Sequence, residues 1–172
     1  MKTELMWVCA ILPKEHNDRI VSICKEANKG IGLPETVFFF PLHISMKKSF
    51  RVRDFERARC DVLQYMQEAG RLHCRIGPVV KHKNMIWLPV IESETINAWH
   101  IGLDQMLLEK HSVEIDEYDR DFKPHLSLFT KGSHDRMVRM MDALLGRIPE
   151  TDVEFTRFVV GSSDHRDEYY DL

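Results

Sequence analysis

The tripeptides His43-Ile44-Ser45 and His125-Leu126-Ser127 occupy nearly the same position in the two halves of this 172-residue chain. Each stands in a proline-led run in which apolar and polar residues alternate, the pattern of a half-buried β-strand. Side chains at i and i+2 of a strand project from the same face, so each run presents an imidazole and a hydroxyl together. The pattern predicts one site built from two copies of a single element.

The elements predicted around the two motifs recur in the same order. Hydrophobic periodicity in each half predicts a strand, a helix, the motif strand, a second helix and a closing strand. The approximate halves are residues 1–83 and 84–163, and residues 164–172 form a polar tail. Because neither half could bury its sheet face separately, we expect a single bilobed domain over residues 1–172. The predicted fold class is α+β, with two pseudo-symmetric lobes around a central groove, each lobe a small, mainly antiparallel sheet with outer helices.

The predicted strands include the first motif strand and two strands that each follow a predicted helix. A strand kinked at Pro41 is predicted over residues 37–46, and single strands are predicted over residues 72–80 and 153–160. The tail after residue 163 is expected to fray, unless its two tyrosines pin it to a lobe.

Charge and cysteine content limit the compartment and the partners. The formal net charge of −3 argues against a broad cationic surface for duplex nucleic acid, while short or small phosphorylated ligands remain possible. The four cysteines show no C-x-x-C spacing, which favours a reducing compartment. The apolar run at residues 6–12 is short and ends at Pro13, and no stretch approaches the roughly 20 apolar residues of a membrane-spanning helix. We therefore predict a cytoplasmic protein with no membrane partner.

The two motifs with their flanks read PLHISM at residues 41–46 and KPHLSLF at residues 123–129. In a chain of this length and element order, they resemble the 2H phosphoesterase superfamily, which includes bacterial 2′-5′ RNA ligase-like proteins and cyclic nucleotide phosphodiesterases. The resemblance implies a 2H phosphoesterase-like fold and hydrolysis of a 2′,3′-cyclic phosphate or a 2′-5′ phosphodiester on a nucleotide or RNA end. Both copies have serine where many members have threonine. The implied catalytic residues are His43 and His125, and the implied phosphate-binding residues are Ser45 and Ser127.

Ring opening of a cyclic phosphate explains why these residue types would recur. One group must take a proton from the attacking water, and another must protonate the departing sugar oxygen. Two histidines suit this pair of tasks because their ordinary pKa of about 6.5 allows one to be neutral and the other protonated near neutral pH. Serine hydroxyls aimed into the same groove could stabilise the charge that grows on the phosphoryl oxygens. The sequence leaves open which histidine is the base and which the acid.

Metal catalysis is not predicted. The sequence contains neither an H-E-x-x-H motif nor a clustered set of histidine, aspartate and cysteine, and two histidines alone would leave a metal under-coordinated. We predict no metal and no cofactor. The expected partner is a nucleotide cyclic phosphate or a short RNA, and a monomer is expected because one chain already holds both copies of the motif.

Residues next to the motifs offer further candidates. Strand parity would point Lys47 and Phe129 into the groove, where the first could attract phosphate and the second could stack on a base. A solvated strand end for Lys47 and a core position for Phe129 are the competing interpretations. Histidines outside the motifs are interpreted as surface or structural residues, and Trp87 and Trp99 as core.

Two other functions stay open at this point. The first is a non-catalytic module that binds RNA ends or nucleotides in the same groove. The second is a general α/β scaffold in which the two motifs share no site.

Overall fold

The computed structural model describes residues 3–92, 94–162 and 168–171. The strands are β1 (Glu4–Ile11), β2 (His43–Val52), β3 (Leu72–Ile76), β4 (Val80–His82), β5 (Met85–Ile91), β6 (His125–Phe129), β7 (Thr151–Phe155), β8 (Arg157–Ser162) and β9 (Glu168–Asp171). The α-helices are α1 (Lys14–Asn28), α2 (Phe55–Ala69), α3 (Glu94–His111), α4 (Glu117–Arg120) and α5 (His134–Leu144), and a 3-10 helix spans Thr36–Phe39.

The described strands form one antiparallel sheet in the order β7-β3-β5-β6-β2-β1-β8-β9, and β4 also pairs with β5. The two motif strands, β2 and β6, are neighbours at its centre and are joined where Ile44 faces Leu126. Each motif strand has an antiparallel neighbour on its outer side: β1 pairs with β2, and β5 pairs with β6. The predicted α+β class with two pseudo-symmetric lobes is confirmed.

Strands are exchanged between the two sides of the sheet. β3 precedes residue 84, yet it pairs with β5 and β7, which follow that residue. In the opposite direction, β8 pairs with β1 at the other end of the chain. Each side of the sheet therefore contains strands from both halves of the sequence.

One face of the sheet packs against the helices, and the other face carries the groove. The central residues of both motif tripeptides belong to the main core, together with buried residues of the helices. Helix α2 shows how local sequence fits this arrangement. The side chain of Asp54 accepts a hydrogen bond from the backbone N–H of Arg57 at the start of the helix, and Gly70 adopts a φ of 74° just after its end. Along the described parts of the chain, none of the helices combines the length and the apolar character that a membrane crossing requires.

Three of the predicted strands are interrupted in the structure. The predicted strand before Pro41 is wrong: Thr36–Phe39 is a 3-10 helix, and β2 starts only at His43. The predicted strand over residues 72–80 divides into β3 and β4 around Pro78, which has no backbone N–H for a ladder. The one predicted over residues 153–160 divides into β7 and β8.

Part of the predicted polar tail is ordered. Tyr169 and Tyr170 lie opposite Val159 and Phe158 in the β8–β9 ladder, so the backbone of this segment extends the sheet. Residues 163–167 and 172, which the same prediction covered, lie outside the described residues.

Candidate active site

The two motif tripeptides lie side by side at the centre of the sheet. Ile44 and Leu126 face each other across β2 and β6, and both are completely buried. Because side chains alternate along a strand, the histidine and serine of each tripeptide lie on the opposite, groove-facing side. The antiparallel direction brings the histidine of one tripeptide level with the serine of the other.

All four of these polar side chains line one groove of about 980 Å³. They are half-buried, which leaves them accessible from the groove while the sheet and neighbouring side chains shield them. The structure thus brings together His43, Ser45, His125 and Ser127, as the sequence predicts.

Both imidazoles are oriented in the same way. Nδ1 of His43 donates to the backbone carbonyl of Pro41 at 2.9 Å, and Nδ1 of His125 donates to that of Lys123 at 2.7 Å. A carbonyl oxygen only accepts hydrogen bonds, so each Nδ1 carries a proton. Proton exchange with a ligand therefore falls to Nε2 in both rings: a neutral ring accepts there, and a protonated ring donates there.

The surroundings of His125 favour its neutral form. Burial lowers the pKa of His125, because a charged imidazolium loses hydration there. The hydrogen bond to the Lys123 carbonyl raises it, while the positive charges that His82 and His43 can carry lower it further. The net direction is downward from the ordinary value of 6.5. The influence of His43 also shows that the two motif histidines lie within electrostatic reach of each other.

Aromatic side chains pack against both histidines. The indole of Trp87 lies 3.9 Å from the imidazole of His125 between ring centroids, and His82 stacks on the same indole at 4.5 Å. On the other side of the groove, the edge of Phe40 meets His43 at 5.1 Å. These contacts restrict the rotation of the imidazoles and give the groove apolar walls. Trp87 was predicted to be core and His82 to be a surface or structural residue, but both line the groove.

A β-bulge follows each motif and reverses the expected direction of the next side chains. On β1 the consecutive residues Val8 and Cys9 pair with Lys47 and Ser45, so Met46 is the extra residue. The second copy has the same irregularity, since Ile86 and Trp87 pair with Phe129 and Ser127. A residue four positions beyond the histidine therefore faces the core side rather than the groove.

This bulge changes the prediction for Lys47. The side chain is only 3% exposed, and its ammonium lies 2.8 Å from a carboxylate oxygen of Asp104 and 2.5 Å from one of Asp119. His100 completes the cluster, because its Nδ1 donates to the Met46 carbonyl at 2.7 Å and its Nε2 lies 3.3 Å from Asp104. Lys47 contributes to the groove floor, but its charge is committed to a buried ion-pair cluster.

The second bulge has the same effect on Phe129. Its side chain is completely buried in the main core, where its ring meets the edge of Phe38 at a centroid distance of 5.4 Å. The structure therefore does not bring Phe129 to the groove, and its predicted role as a substrate contact is replaced by the core position.

The oxygen and nitrogen atoms of His100, Asp104 and Asp119 lie close enough to hold a metal ion. Both carboxylates already contact the ammonium of Lys47, which supplies the positive charge that two buried carboxylates need. This cluster therefore fits a structural ion-pair site better than a metal centre.

Comparison with known proteins identifies the fold. No model of a protein family matches the sequence, and no curated protein matches it significantly. Solved structures do match. Escherichia coli LigT, crystallised with 3′-AMP, superposes with a TM-score of 0.67 at 14% identity, covering 99% of this chain and 96% of that one.

Two further structures share the fold over a similar length. A protein described as a phosphoesterase gives a TM-score of 0.64 at 15% identity and covers 99% of this chain and 96% of its own. Usb1 from Kluyveromyces marxianus gives 0.53 at 10% identity, with 98% of both chains covered. At these identities the likeness establishes the fold, and the function must be argued from the groove.

Proposed function

We propose that this chain, which has the fold of the 2H phosphoesterases, is a metal-independent phosphoesterase that acts on a 2′,3′-cyclic phosphate or a 2′-5′ phosphodiester of a nucleotide or RNA end. The observation that carries the proposal is the convergence of two imidazoles and two hydroxyls on one groove face. In both imidazoles Nδ1 donates a hydrogen bond to a backbone carbonyl, which leaves Nε2 available for proton transfer.

The groove suits a nucleotide. Trp7, Phe40, Trp87 and Tyr118 supply aromatic surface, while lysines at the rim supply positive charge for phosphate. The solved structure of LigT with 3′-AMP supports the same ligand class, since it shows a nucleotide bound to a protein of this fold. A phosphate lying over the junction of the two motif strands, on the groove face, would meet both histidines and both serines.

The lowered pKa of His125 supports one assignment of the two chemical roles. Neutral His125, favoured by its lowered pKa, takes a proton from the attacking water at Nε2 as the water oxygen bonds to phosphorus. The bond from phosphorus to one ring oxygen of the cyclic phosphate breaks, and protonated His43 gives that oxygen its proton. The hydroxyls of Ser45 and Ser127 donate to the non-bridging oxygens, which gain charge in the transition state.

The test is hydrolysis of 2′,3′-cyclic nucleotides and 2′-5′-linked oligonucleotides with EDTA present. Wild type should turn over at least one substrate, and His43→Ala and His125→Ala should each lower kcat by about 10²–10⁴-fold. His134→Ala is the matched control, because His134 is exposed at the start of α5, away from the groove lining. Equal turnover in all four proteins would contradict the proposal. Nucleotide binding without turnover would instead favour the non-catalytic binding module.

A further inference from the structure

A hairpin extends the groove beyond the motif strands and carries a third histidine. β4 and β5 pair with His82 opposite Met85, and Lys83 starts the connecting turn with a φ of 52°. β4 lies on the side of β5 that is away from β6. His82 is therefore two strand spacings, about 10 Å, from the strand that carries His125.

Aromatic stacking connects this hairpin with the motif histidine. His82 stacks almost parallel on Trp87, at an interplanar angle of 15°, and Trp87 in turn contacts His125. The three rings form a continuous surface from the centre of the groove to the hairpin. A ligand held at His125 would extend along this surface to reach His82.

Positive charge is concentrated at the far end of that surface. Lys83 and Lys123 line the groove beside His82, and both are exposed. Asp121 lies within their reach: it accepts a hydrogen bond from the Lys123 ammonium at 2.6 Å, and the charges of Lys83 and His82 help to lower its pKa. One carboxylate thus faces two ammonium groups and an imidazole, so the patch keeps a surplus of positive charge.

The opposite wall of the groove is less cationic at the level of the motifs. Lys48 also lines the groove, but its ammonium lies 3.7 Å from a carboxylate oxygen of Asp116. Cys9 pairs with Ser45 as Trp87 pairs with Ser127, but the next strand outward places Val159 opposite Cys9. Cys9 and Val159 belong to a small apolar cluster. Beside the motifs the groove therefore differs on its two sides, with apolar residues of β1 and β8 on one side and the cationic hairpin of β4 and β5 on the other.

We propose that His82, Lys83 and Lys123 bind a second phosphate of the substrate, carried on the 5′ oxygen of the nucleoside whose other phosphate lies between His43 and His125. This inference rests on the proposed function. The ligand class is a nucleotide with a 5′-phosphoryl group, either a terminal monoester or the diester linking it to a preceding nucleotide. The hairpin thereby selects phosphorylated or longer substrates over simple nucleoside cyclic phosphates.

Ligands without a hydrolysable cyclic ester test this subsite separately from turnover. Calorimetry compares 3′-AMP, adenosine 3′,5′-bisphosphate and a diadenosine dinucleotide with a 3′-terminal phosphate. Wild type should bind the bisphosphate about tenfold more tightly than 3′-AMP, the gain expected from one charge-assisted phosphate contact. The His82→Gln/Lys83→Gln double variant should reduce that ratio to about one. A gain confined to the bisphosphate identifies a terminal 5′-phosphate, and a gain for both ligands identifies a nucleotide chain.

Lys81→Gln is the matched control. Lys81 precedes His82 on β4 and pairs with the buried Ile86, so it projects to the other face of the sheet, and its variant should keep the wild-type ratio. Lys83→Gln alone, at the exposed turn, should lower the ratio even where the double variant fails to fold. Equal affinity of wild type for 3′-AMP and the bisphosphate, or an unchanged ratio in the Lys83 variant, would overturn the inference. If wild type does not hydrolyse any cyclic phosphate, that result counts against the proposed function. The affinity ratios would still decide whether the second phosphate subsite exists.

Discussion

Ile44 and Leu126 lie directly opposite each other at the junction of β2 and β6, and both are completely buried. The approximate two-fold axis that relates the two motif strands passes between these two residues. Because the strands are antiparallel, the histidine of each motif lies level with the serine of the other motif. Each of two distant parts of the sequence therefore contributes one histidine and one serine to the site. We expect both serine hydroxyls to contribute to the reaction.

The serine hydroxyls are expected to stabilise the transition state more than the bound substrate. Ser45→Ala and Ser127→Ala should each lower kcat by about 10²-fold, with a smaller change in KM, because each removes one donor to an oxygen that gains charge. Steady-state kinetics on the best cyclic nucleotide measures both constants. Ser22→Ala, on the exposed surface of α1, should leave them unchanged. Wild-type kcat in both groove variants would show that the hydroxyls do not contact the reacting phosphate.

The lowered pKa of His125 predicts the shape of the pH profile. A base must be neutral to act, and its activity is lost as the pH falls through its pKa. Since burial brings that pKa below the ordinary 6.5, the acid limb of kcat/KM should lie below pH 6.5. His82→Gln removes a positive neighbour, so the pKa of His125 should rise and the acid limb should move to higher pH. A profile of kcat/KM on a mononucleotide substrate checks both directions, and an opposite movement would reassign the base.

Thiol reactivity tests the packing of the fold independently of activity. Cys60 is exposed on α2, whereas burial raises the pKa of Cys24 and of Cys74 to about 12. Thiolate is the reactive form, so a disulfide reagent at pH 8 should modify Cys60 rapidly, and Cys24 and Cys74 only after unfolding. Cys60→Ser should abolish the rapid phase. Rapid modification of Cys24 or Cys74 in the folded protein would mean that the core is packed differently.

The motif strands could be predicted because their alternation is regular and each is preceded by proline. The two tripeptides keep a buried residue between two groove residues, and this pattern alone places the histidine and the serine of each motif on one face of their strand. Their convergence could not be read from periodicity, since it depends on the pairing of strands from both halves of the chain. The matching positions of the two motifs in the halves of the chain suggested that expectation, and the resemblance to a known family supported it.

The errors at the site have a common cause in backbone geometry. Parity predicts that Lys47 and Phe129 face the groove, but one extra residue in each strand, Met46 and Leu128, reverses the direction. No residue type in either segment marks a bulge. Trp87 was missed for another reason: β5 is apolar on both faces, so its sequence does not distinguish the core side from the groove side.

The buried cluster around Lys47 was also beyond sequence reasoning, because its charges come from three elements. Asp104 and His100 lie on α3, Asp119 lies on α4, and Lys47 lies on β2. Each of these residues is ordinary for a solvated surface when taken alone. Together they hold the bulge, since His100 donates to the carbonyl of its extra residue, Met46.

Lys47→Met is expected to destabilise the protein by about 3–5 kcal/mol, because it leaves two buried carboxylates without their ammonium partner. Urea unfolding near neutral pH measures the loss. Burial already raises the pKa of Asp104 above its unfolded value, so this carboxyl takes up a proton in the folded state first as the pH falls. Protonation removes one unpaired charge, and the cost of the substitution should therefore shrink toward acid pH.

The adjacent lysine provides the matched control for this last prediction. Lys48 carries the same charge one residue further along β2, but it is exposed, and its ammonium lies 3.7 Å from a carboxylate oxygen of Asp116. An exposed ion pair of this kind contributes little to the stability of the folded protein. Lys48→Met should therefore change the unfolding free energy by less than about 1 kcal/mol. Equal effects of the two substitutions would mean that the Lys47 ammonium reaches solvent. The Lys47 side chain would then lie in the groove, as the simple alternation of side chains along the strand predicts.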